Sequence, residues 1–525
     1  MKQQKNTTLV HWIFFILLIF SIGFHFSFLS SLYRLDDGDT ARDYMVARHI
    51  ALYQQYPTIG PNNAIYDSAR ASPLYYYLLS IPILINDSIY SIGVLNILLQ
   101  ALSILFLYAL AYILFGPTTA ILTALLLLLN QELFSQSFYM IQAHFGHVFF
   151  NGSYAFLAYS YIRKSRISLY ISAIFFSLGC IVSFHGFPAL LGYLIIIYLI
   201  LRSQKASLQR ILSVYGTMAL LVLFFYTPTL INIITSRNAL FLVKEPVYIQ
   251  TLNDFPIRVI SNIRLALNDW MTSLWLLPQI KNALLGILCV SLIRFMIWEK
   301  TKLTRIITIV ILAYLSQVGF FAALLRTETN SYQYDAITGL AVILLAFSAG
   351  STWPKNLFGR IASMLSIIGL MFLVIPTHGY IQWQQLQMSQ PQKLESKLEP
   401  LFRYIDEQKV IHPTDWSKRF QIAMYNGRAN MYHWKESVIW NALEHRYTTP
   451  FVRVVNTGYN YTPLATSETR YILICEEYTS LQDATNRCIS SFMQKREDST
   501  YVIRVISDNS PHGYIIYTAQ HDPAK

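Results

Sequence analysis

Charged residues are scarce in this chain. Only 13% of its 525 residues are Asp, Glu, Lys or Arg, whereas an ordinary soluble domain carries about 25%. Hydrophobic residues make up 54%, and the mean hydropathy is +0.38. A chain so poor in charge and so rich in apolar side chains is not typical of a soluble globular protein. The composition therefore predicts an integral membrane protein.

Cysteine is scarce too, and the four present form no metal-binding motif. Cys180 and Cys289 fall inside apolar runs, whereas Cys475 and Cys488 lie in a polar tail. The net charge of +12 does not indicate nucleic acid, because the basic residues form short clusters between apolar runs rather than one basic stretch. No cofactor is expected with certainty, and a divalent metal is left open.

Eleven apolar runs are candidates for membrane-spanning helices, because about 20 mostly apolar residues cross a bilayer. Their ranges are 10–32, 89–114, 117–134, 145–162, 167–184, 187–201, 211–234, 274–297, 305–325, 336–352 and 360–380. If the N-terminus lies inside, the short basic loops at 163–166, 202–210, 300–305 and 355–360 all face the cytoplasm. This predicts a multi-pass protein of the plasma membrane whose C-terminal tail is extracytoplasmic.

The tail is expected to form a separate domain. We predict a membrane domain over residues 1–381 and a small α/β domain over 382–525. Short β-like runs lie at 471–475, 501–506 and 514–518. A helical pattern at about 480–493 separates the first two runs. Cys475 and Cys488 flank this helical pattern, which predicts a disulfide in an oxidising compartment.

The first outer loop concentrates charge directly after the first apolar run. Its charged residues are Arg34, Asp36, Asp37, Asp39, Arg42 and Asp43. Such a cluster is costly near lipid unless the charges are solvated, paired or used. Two interpretations stay open. One is a solvated helix start, in which Asp39 caps a helix that runs to about Tyr53. The other is a catalytic cluster.

A family resemblance favours the catalytic interpretation. Residues 39–48, D-T-A-R-D-Y-M-V-A-R, resemble the D-E-x-R…A-R signature that GT-C glycosyltransferases carry after their first membrane helix. That superfamily includes the protein O-mannosyltransferases, the aminoarabinose transferases acting on lipid A and the Rgt-type enzymes. Weaker similarities follow in order at 57–61, 71–77, His185 and 332–334. The resemblance covers about residues 1–380.

The resemblance implies transfer of a sugar from a polyprenyl phosphate or diphosphate to a lipid, glycan or protein acceptor at the outer face, with inversion. A first-loop acid would be the general base. Asp39 occupies the family's acidic position. Thr40 stands where the family often has Glu, so the second acid is Asp43, one helical turn on, or Asp36 or Asp37.

The leaving phosphate requires cations, and Arg binds phosphate oxygens bidentately. The cations expected in the outer loops are Arg42, Arg48, Arg70, Arg237, Lys244, Arg258, Arg264 and Arg326. The residues chosen as candidates for donor binding are Arg42, Arg48, Arg326, His185 and Tyr75.

Other interpretations stay open. His144 and His147 share a helical face at i, i+3, which suits a ligand pair or plain interfacial packing. A lipid flippase or transporter is the main alternative function, and a non-catalytic assembly protein is the next. The acidic cluster lies outside the predicted spans, whereas transporters concentrate polar groups near the midplane. The sequence therefore favours the transferase.

Overall fold

The structure is a computed structural model of a helical protein with a small C-terminal sheet. It describes residues 2–32, 38–61, 72–128, 142–183, 187–235, 392–425, 436–454, 461–463, 470–476, 480–496, 501–509 and 514–521. These residues divide between two compact units. One contains residues 1–32, 63–75 and 92–384, and the other contains residues 33–62, 76–91 and 385–525.

Helices dominate the N-terminal half of the chain. They are α1 (Lys2–Leu32), α2 (Gly38–Tyr53), α3 (Leu74–Ile85), α4 (Ile89–Phe115), α5 (Pro117–Leu128), α6 (Gln142–Arg163), α7 (Arg166–Val182), α8 (Phe187–Ser203) and α9 (Leu208–Thr235). Seven of them, α1 and α4–α9, occupy the places of the first seven predicted spans. The last four predicted spans lie outside the described residues, so the total of eleven stays a prediction.

Three helical stretches in the described ranges are long and apolar enough to cross a membrane. They are Thr8–Ser27, Tyr90–Phe115 and Leu208–Ile231. Large apolar side chains on them are exposed, including Trp12 and Phe224. Exposed apolar area on this scale is stable against lipid rather than against water. The chain is therefore an integral membrane protein, as its composition predicts.

Helix α3 is absent from the sequence prediction, which treats residues 34–88 as a loop. Its apolar run is only 12 residues long, too short to cross a bilayer, so the length criterion for spans misses it. Pro82 lies inside the helix.

Small residues bring α6 and α7 of the membrane unit close together. A Cβ atom added to Gly179 would lie 2.5 Å from the Phe150 ring, and one added to Gly152 would lie 2.6 Å from the Phe175 ring. Helices in membranes gain most of their association energy from such close packing, because lipid supplies little hydrophobic driving force. The turn between the two helices is stabilised by Ser165, whose hydroxyl accepts from the Ser168 amide.

The C-terminal tail combines helices and short strands. Its elements are α10 (Gln392–Ile411), a 3₁₀ turn (Trp416–Arg419), β1 (Phe420–Tyr425), α11 (Glu436–Tyr447), β2 (Val452–Val454), β3 (Tyr461–Pro463), β4 (Arg470–Glu476), α12 (Leu481–Ala484), a π-helical turn (Thr485–Ile489), α13 (Ser490–Arg496), β5 (Tyr501–Asn509) and β6 (Tyr514–His521). The three predicted β-like runs correspond to β4, β5 and β6, and the predicted helix corresponds to α12–α13.

The main sheet has the order β1-β4-β6-β5, with β1 and β4 parallel and the other pairs antiparallel. Side chains alternate between its faces. Ile472 and Ile474 share one buried cluster with residues of α10 and α11, whereas Leu473 shares the opposite cluster with Phe492 of α13. Burial on both faces explains why β4 is a continuous apolar run.

Cys475 of β4 and Cys488 of the π-helical turn form a disulfide, as predicted. It ties the helical segment α12–α13 to the sheet on the face that this segment covers. Cys180, in the membrane unit, is a buried free thiol.

Candidate active site

Helix α2 carries the acidic motif, and its boundaries follow from local chemistry. It begins at Gly38 and ends at Tyr53, the predicted end. Gln54 then adopts a left-handed conformation, with φ of 54°, and the Gln55 amide donates to the His49 carbonyl at 3.2 Å. The left-handed residue ends the helix, and the bond to His49 satisfies one of the carbonyls near the helix C-terminus.

Helix α2 packs against α11 of the tail, in the same compact unit. Met45 is fully buried in a cluster with Leu401 and Trp440. The side-chain amide of Asn441 donates through Nδ2 to the Ala41 backbone carbonyl at 2.6 Å. The acidic helix is therefore part of the hydrophobic core of the tail, although about 400 residues separate the two in sequence.

Asp43 is buried and its carboxylate is engaged. The Nε and Nη2 atoms of Arg42 donate to Asp43 Oδ1 at 2.9 and 2.7 Å, and the Tyr76 hydroxyl donates to the same oxygen at 3.3 Å. The Asp43 side chain is 2% exposed and that of Arg42 is 13% exposed. The arrangement fixes one cation and one acid of the predicted site against each other.

Arg48 lies at the centre of a charge cluster in which Arg48 and Glu444 are buried and Asp87 is about one-third exposed. Its Nε and Nη2 atoms donate to the two carboxylate oxygens of Asp87 at 2.9 and 2.8 Å, a bidentate pair. Its Nη1 atom lies 3.8 Å from Glu444 Oε2 and makes no hydrogen bond with any of the described residues. Burial opposes the charge, but the hydrogen bond to Asp87 and nearby charges outweigh it and raise the pKa of Arg48.

Glu444 of α11 accepts hydrogen bonds with both of its oxygens. Oε2 accepts from His49 Nε2 at 2.8 Å, and Oε1 accepts from the Phe451 amide at 2.9 Å. The side chains of Glu444 and His49 are both fully buried. The other ring nitrogen of His49 lies 3.3 Å from Gln55 Oε1. One tail carboxylate thus joins two adjacent residues of α2, Arg48 and His49, to the end of α11.

Tyr44, His445 and Asp87 complete this cluster. The Tyr44 hydroxyl lies 2.9 Å from His445 Nε2 and 3.5 Å from Asp87 Oδ1, and the Tyr44 and His445 rings stack at 5.6 Å. Burial and the neighbouring Arg48 charge lower the pKa of His445. Burial opposes ionisation of Asp87, yet the hydrogen bonds and charge of Arg48 prevail and lower its pKa. Burial and then Asp87 raise the pKa of Tyr44.

The candidate residues differ in where the structure places them. Arg42 and Asp43 of α2 pair with each other, whereas Arg48 of the same helix pairs with Asp87 and Glu444. Asp39 is the second residue of α2, one turn before Asp43, and its side chain is outside the description. The candidates that lie outside the described residues are Asp37, His185 and Arg326. Tyr75 belongs to the other unit, where it is buried with its ring 5.7 Å from that of Phe145.

Sequence reasoning misses Asp87, Asn441, Glu444 and His445. Asp87 lies in the loop before α4, and the other three lie in an unremarkable tail helix. No local motif marks them, because their significance comes from contacts across 39 to 401 positions of sequence.

The described part of the chain contains no group of three or more His, Cys, Asp or Glu side chains able to hold a metal ion. His147 is buried on α6, and the side chain of His144 is outside the description. Both interpretations of this pair, ligands or interfacial packing, therefore stay open.

Comparison with known proteins identifies relatives of this architecture. Residues 70–231 match the family model for dolichyl-phosphate-mannose-protein mannosyltransferase. The crystal structure of ArnT from Cupriavidus metallidurans bound to undecaprenyl phosphate aligns with a TM-score of 0.53 at 12% identity, covering 97% of both chains. The resemblance to the GT-C superfamily is confirmed. The apo structure of the same ArnT aligns with a TM-score of 0.51 at 11% identity, over 99% of this chain and 98% of that one.

A weaker structural similarity is to the archaeal oligosaccharyltransferase of Archaeoglobus fulgidus. It has a TM-score of 0.48 at 13% identity and covers 94% of this chain and 69% of that one. No curated protein matches the chain in sequence. The protein of this sequence shares the fold of ArnT, and the alignment includes its C-terminal tail.

Proposed function

We propose that this protein is a membrane glycosyltransferase that transfers a sugar from a polyprenyl-phosphate-linked donor to an acceptor at the outer face. The full-length similarity to ArnT carries this proposal, because it aligns the chain end to end with a protein crystallised with undecaprenyl phosphate. The family match over residues 70–231 supports the same donor class. The acceptor is a lipid, a glycan or a protein.

Among the first-loop acids, Asp39 is the best candidate for the general base. A general base must take the proton of the acceptor hydroxyl, so its oxygen has to reach the acceptor. Asp43 is buried and its Oδ1 oxygen accepts from Arg42 and Tyr76. Asp39 lies one turn earlier on the same face of α2. Asp43 then serves to hold Arg42, and Asp37 is the next candidate base.

Arg42 is the described cation best suited to the leaving phosphate. Its side chain is on the same helix as Asp39 and is already oriented by Asp43. Arg48 is the weaker candidate, because its bidentate partner is Asp87 and its remaining nitrogen faces Glu444. Arg326 stays a candidate because it lies at the outer end of the ninth predicted span, at headgroup depth. His185 and Tyr75 stay candidates on the family resemblance.

The tail is proposed to be extracytoplasmic. An odd number of spans after an internal N-terminus supports this side, and so does the Cys475–Cys488 disulfide, since disulfides persist in oxidising compartments. We propose a domain boundary at about residue 381, because the sequence changes there from apolar runs to a polar tail. The compact unit of the tail also includes α2 and Asp87.

The test is transfer by purified protein from a panel of polyprenyl-phosphate sugars, comparing wild type with Asp39→Asn. The substitution keeps the shape of the side chain but removes the proton acceptor. We expect turnover to fall by about 10²–10⁴-fold, the usual scale for a general base. Donor binding and expression should stay near those of wild type.

Asp415→Asn is the matched control. Asp415 is an exposed acid of the same compact unit, paired with Arg419, and its replacement should leave turnover unchanged. If Asp39 only stabilises the first turn of α2, where it is the second residue, Asn should cost at most about 1 kcal/mol of stability and the variant should work normally. Normal turnover of Asp39→Asn would therefore refute the assignment. Absence of transfer or hydrolysis with every donor would refute the function.

A further inference from the structure

Glu444 stands out among the buried groups that the proposed reaction does not use. Its side chain is fully buried, yet it belongs to the tail, and all of its charged neighbours within 4 Å in the described structure are on α2. We propose that Glu444 is a positioning residue, which holds α2 so that the first-loop acids and Arg42 are correctly placed for sugar transfer. This inference rests on the proposed function.

The contacts of Glu444 hold α2 against the end of α11. Oε2 accepts from His49 Nε2 at 2.8 Å and lies 3.8 Å from Arg48 Nη1, and Oε1 accepts from the Phe451 amide at 2.9 Å. The carboxylate thereby links two successive residues of α2 to the chain just beyond the end of α11. Successive residues of a helix point about 100° apart, so the hydrogen bond to His49 and the ion pair with Arg48 together oppose rotation of α2 about its axis as well as translation.

A second contact acts nearer the start of the helix. Asn441, one helical turn before Glu444, donates to the Ala41 carbonyl at 2.6 Å and is fully buried. Ala41 lies between Asp39 and Asp43. The two α11 side chains therefore hold α2 at two points about two turns apart, and the nearer one is adjacent to the proposed reacting groups.

The proposed positioning role requires the negative charge of Glu444, because this charge faces Arg48. Arg48 has one nitrogen without a hydrogen bond, and that nitrogen faces Glu444. An uncharged replacement of the same shape would leave this part of the guanidinium unneutralised in a buried place. A Gln amide has only one acceptor oxygen, so it could accept from the His49 ring or from the Phe451 amide, but not from both. The helix would have to shift to rehydrate Arg48. A displacement of about 1 Å can lower turnover by about 10²-fold.

The experiment compares Glu444→Gln, Glu444→Asp and the control Glu399→Gln. Glu399 is an exposed acid of the tail that pairs with Arg446 at 3.5 Å. Each variant is assayed below its unfolding midpoint, on protein that elutes as a single species. We expect Glu444→Gln to lower kcat by about 10²-fold with the donor KM nearly unchanged. Glu444→Asp should recover part of the loss, and Glu399→Gln should equal wild type.

Hydrogen–deuterium exchange supplies a readout independent of activity. The amides of residues 41–50 should exchange faster in Glu444→Gln than in wild type, while those of β4 should not change. A merely structural role would lower the unfolding temperature but leave kcat per folded molecule and the exchange of α2 as in wild type. That result, or a kcat within about twofold of wild type, would overturn the inference.

A second variant covers the case in which Glu444→Gln does not fold. Asn441→Leu has nearly the same size, introduces no charge, and removes only the bond to the Ala41 carbonyl. It should lower kcat by about tenfold and speed exchange at the start of α2. Unchanged values would overturn the inference. If wild type transfers no sugar from any donor, the proposed function fails, and the exchange measurement still tests whether Glu444 holds α2.

Discussion

The two compact units stabilise their buried polar groups in different ways. In the membrane unit, Ser153 of α6, Ser172 of α7 and Tyr193 of α8 are buried and share hydrogen bonds among neutral hydroxyls. In the unit of the tail, the buried polar groups include Arg48 and Glu444, which are charged. Among the described residues, the buried hydrogen-bonded groups of the membrane unit are neutral, whereas the unit of the tail contains a buried ion pair.

The difference follows from what each unit has to do. Hydroxyls give the membrane helices a fixed register at little desolvation cost, and the Tyr193 ring adds a stacking contact with Phe176 at 3.8 Å. Buried ion pairs seldom add net stability, but they are very sensitive to loss of one partner. The charged cluster therefore specifies how α2 and α11 meet more than it stabilises them.

The largest effect is expected from Arg48→Met, which breaks the charged cluster. It would leave Asp87 and Glu444 without their shared cation, and breaking a buried pair typically costs about 3–5 kcal/mol. Chemical denaturation at neutral pH, followed by a probe on the tail, measures the loss. Replacement of the exposed Arg487, paired with Asp483 at 3.4 Å, is the control and should cost less than about 1 kcal/mol. Equal losses of unfolding free energy in the Arg48 and Arg487 variants would show that burial of the cluster is unimportant.

A somewhat smaller effect is expected from Cys475→Ser with Cys488→Ser. The bridge closes a loop of 13 residues, and removing it should cost about 3 kcal/mol, chiefly by freeing the unfolded chain. Cys180→Ser in the membrane unit breaks no bridge and is the matched control. Alkylation of thiols before reduction, in protein taken from its own membrane, tests the proposed location. Free thiols at both Cys475 and Cys488 would contradict an extracytoplasmic tail.

The smallest effect is expected from Tyr193→Phe, which breaks only neutral hydrogen bonds. The ring and its contact with Phe176 are kept, while Ser153 and Ser172 can still hydrogen-bond to each other or to carbonyls. Interhelical bonds of this kind contribute about 0.6 kcal/mol on average. Unfolding from mixed micelles measures the change. A loss as large as that of Arg48→Met would remove the distinction between the two units.

The sequence predicts the local features well. The end of α2 at Tyr53, the strands β4 to β6 and the Cys475–Cys488 bridge are all expected from residue patterns and are all present. These features depend on neighbours within a dozen or so residues. Helix α3 was missed because 12 apolar residues fit neither a spanning helix nor a strand.

Only part of the candidate site could be predicted from the sequence. Asp39, Asp43 and Arg42 stand in one motif, so the resemblance to GT-C glycosyltransferases points to them. The positions of Asp87 and Glu444 carry no local signal. Their relation to Arg48 appears only when the loop before α4 and the tail helix meet α2.

By itself, the sequence determined that the chain lies in a membrane, which parts of it form the first seven apolar helices, and which segment is acidic. Hydropathy and short-range hydrogen bonding decide those properties. Only the tertiary structure decided that α2 belongs to the core of the tail and that Arg48 binds Asp87 rather than standing free for a ligand. Contacts between residues tens to hundreds of positions apart depend on packing of the whole unit, because a charge is stabilised by whichever partner the fold brings to it.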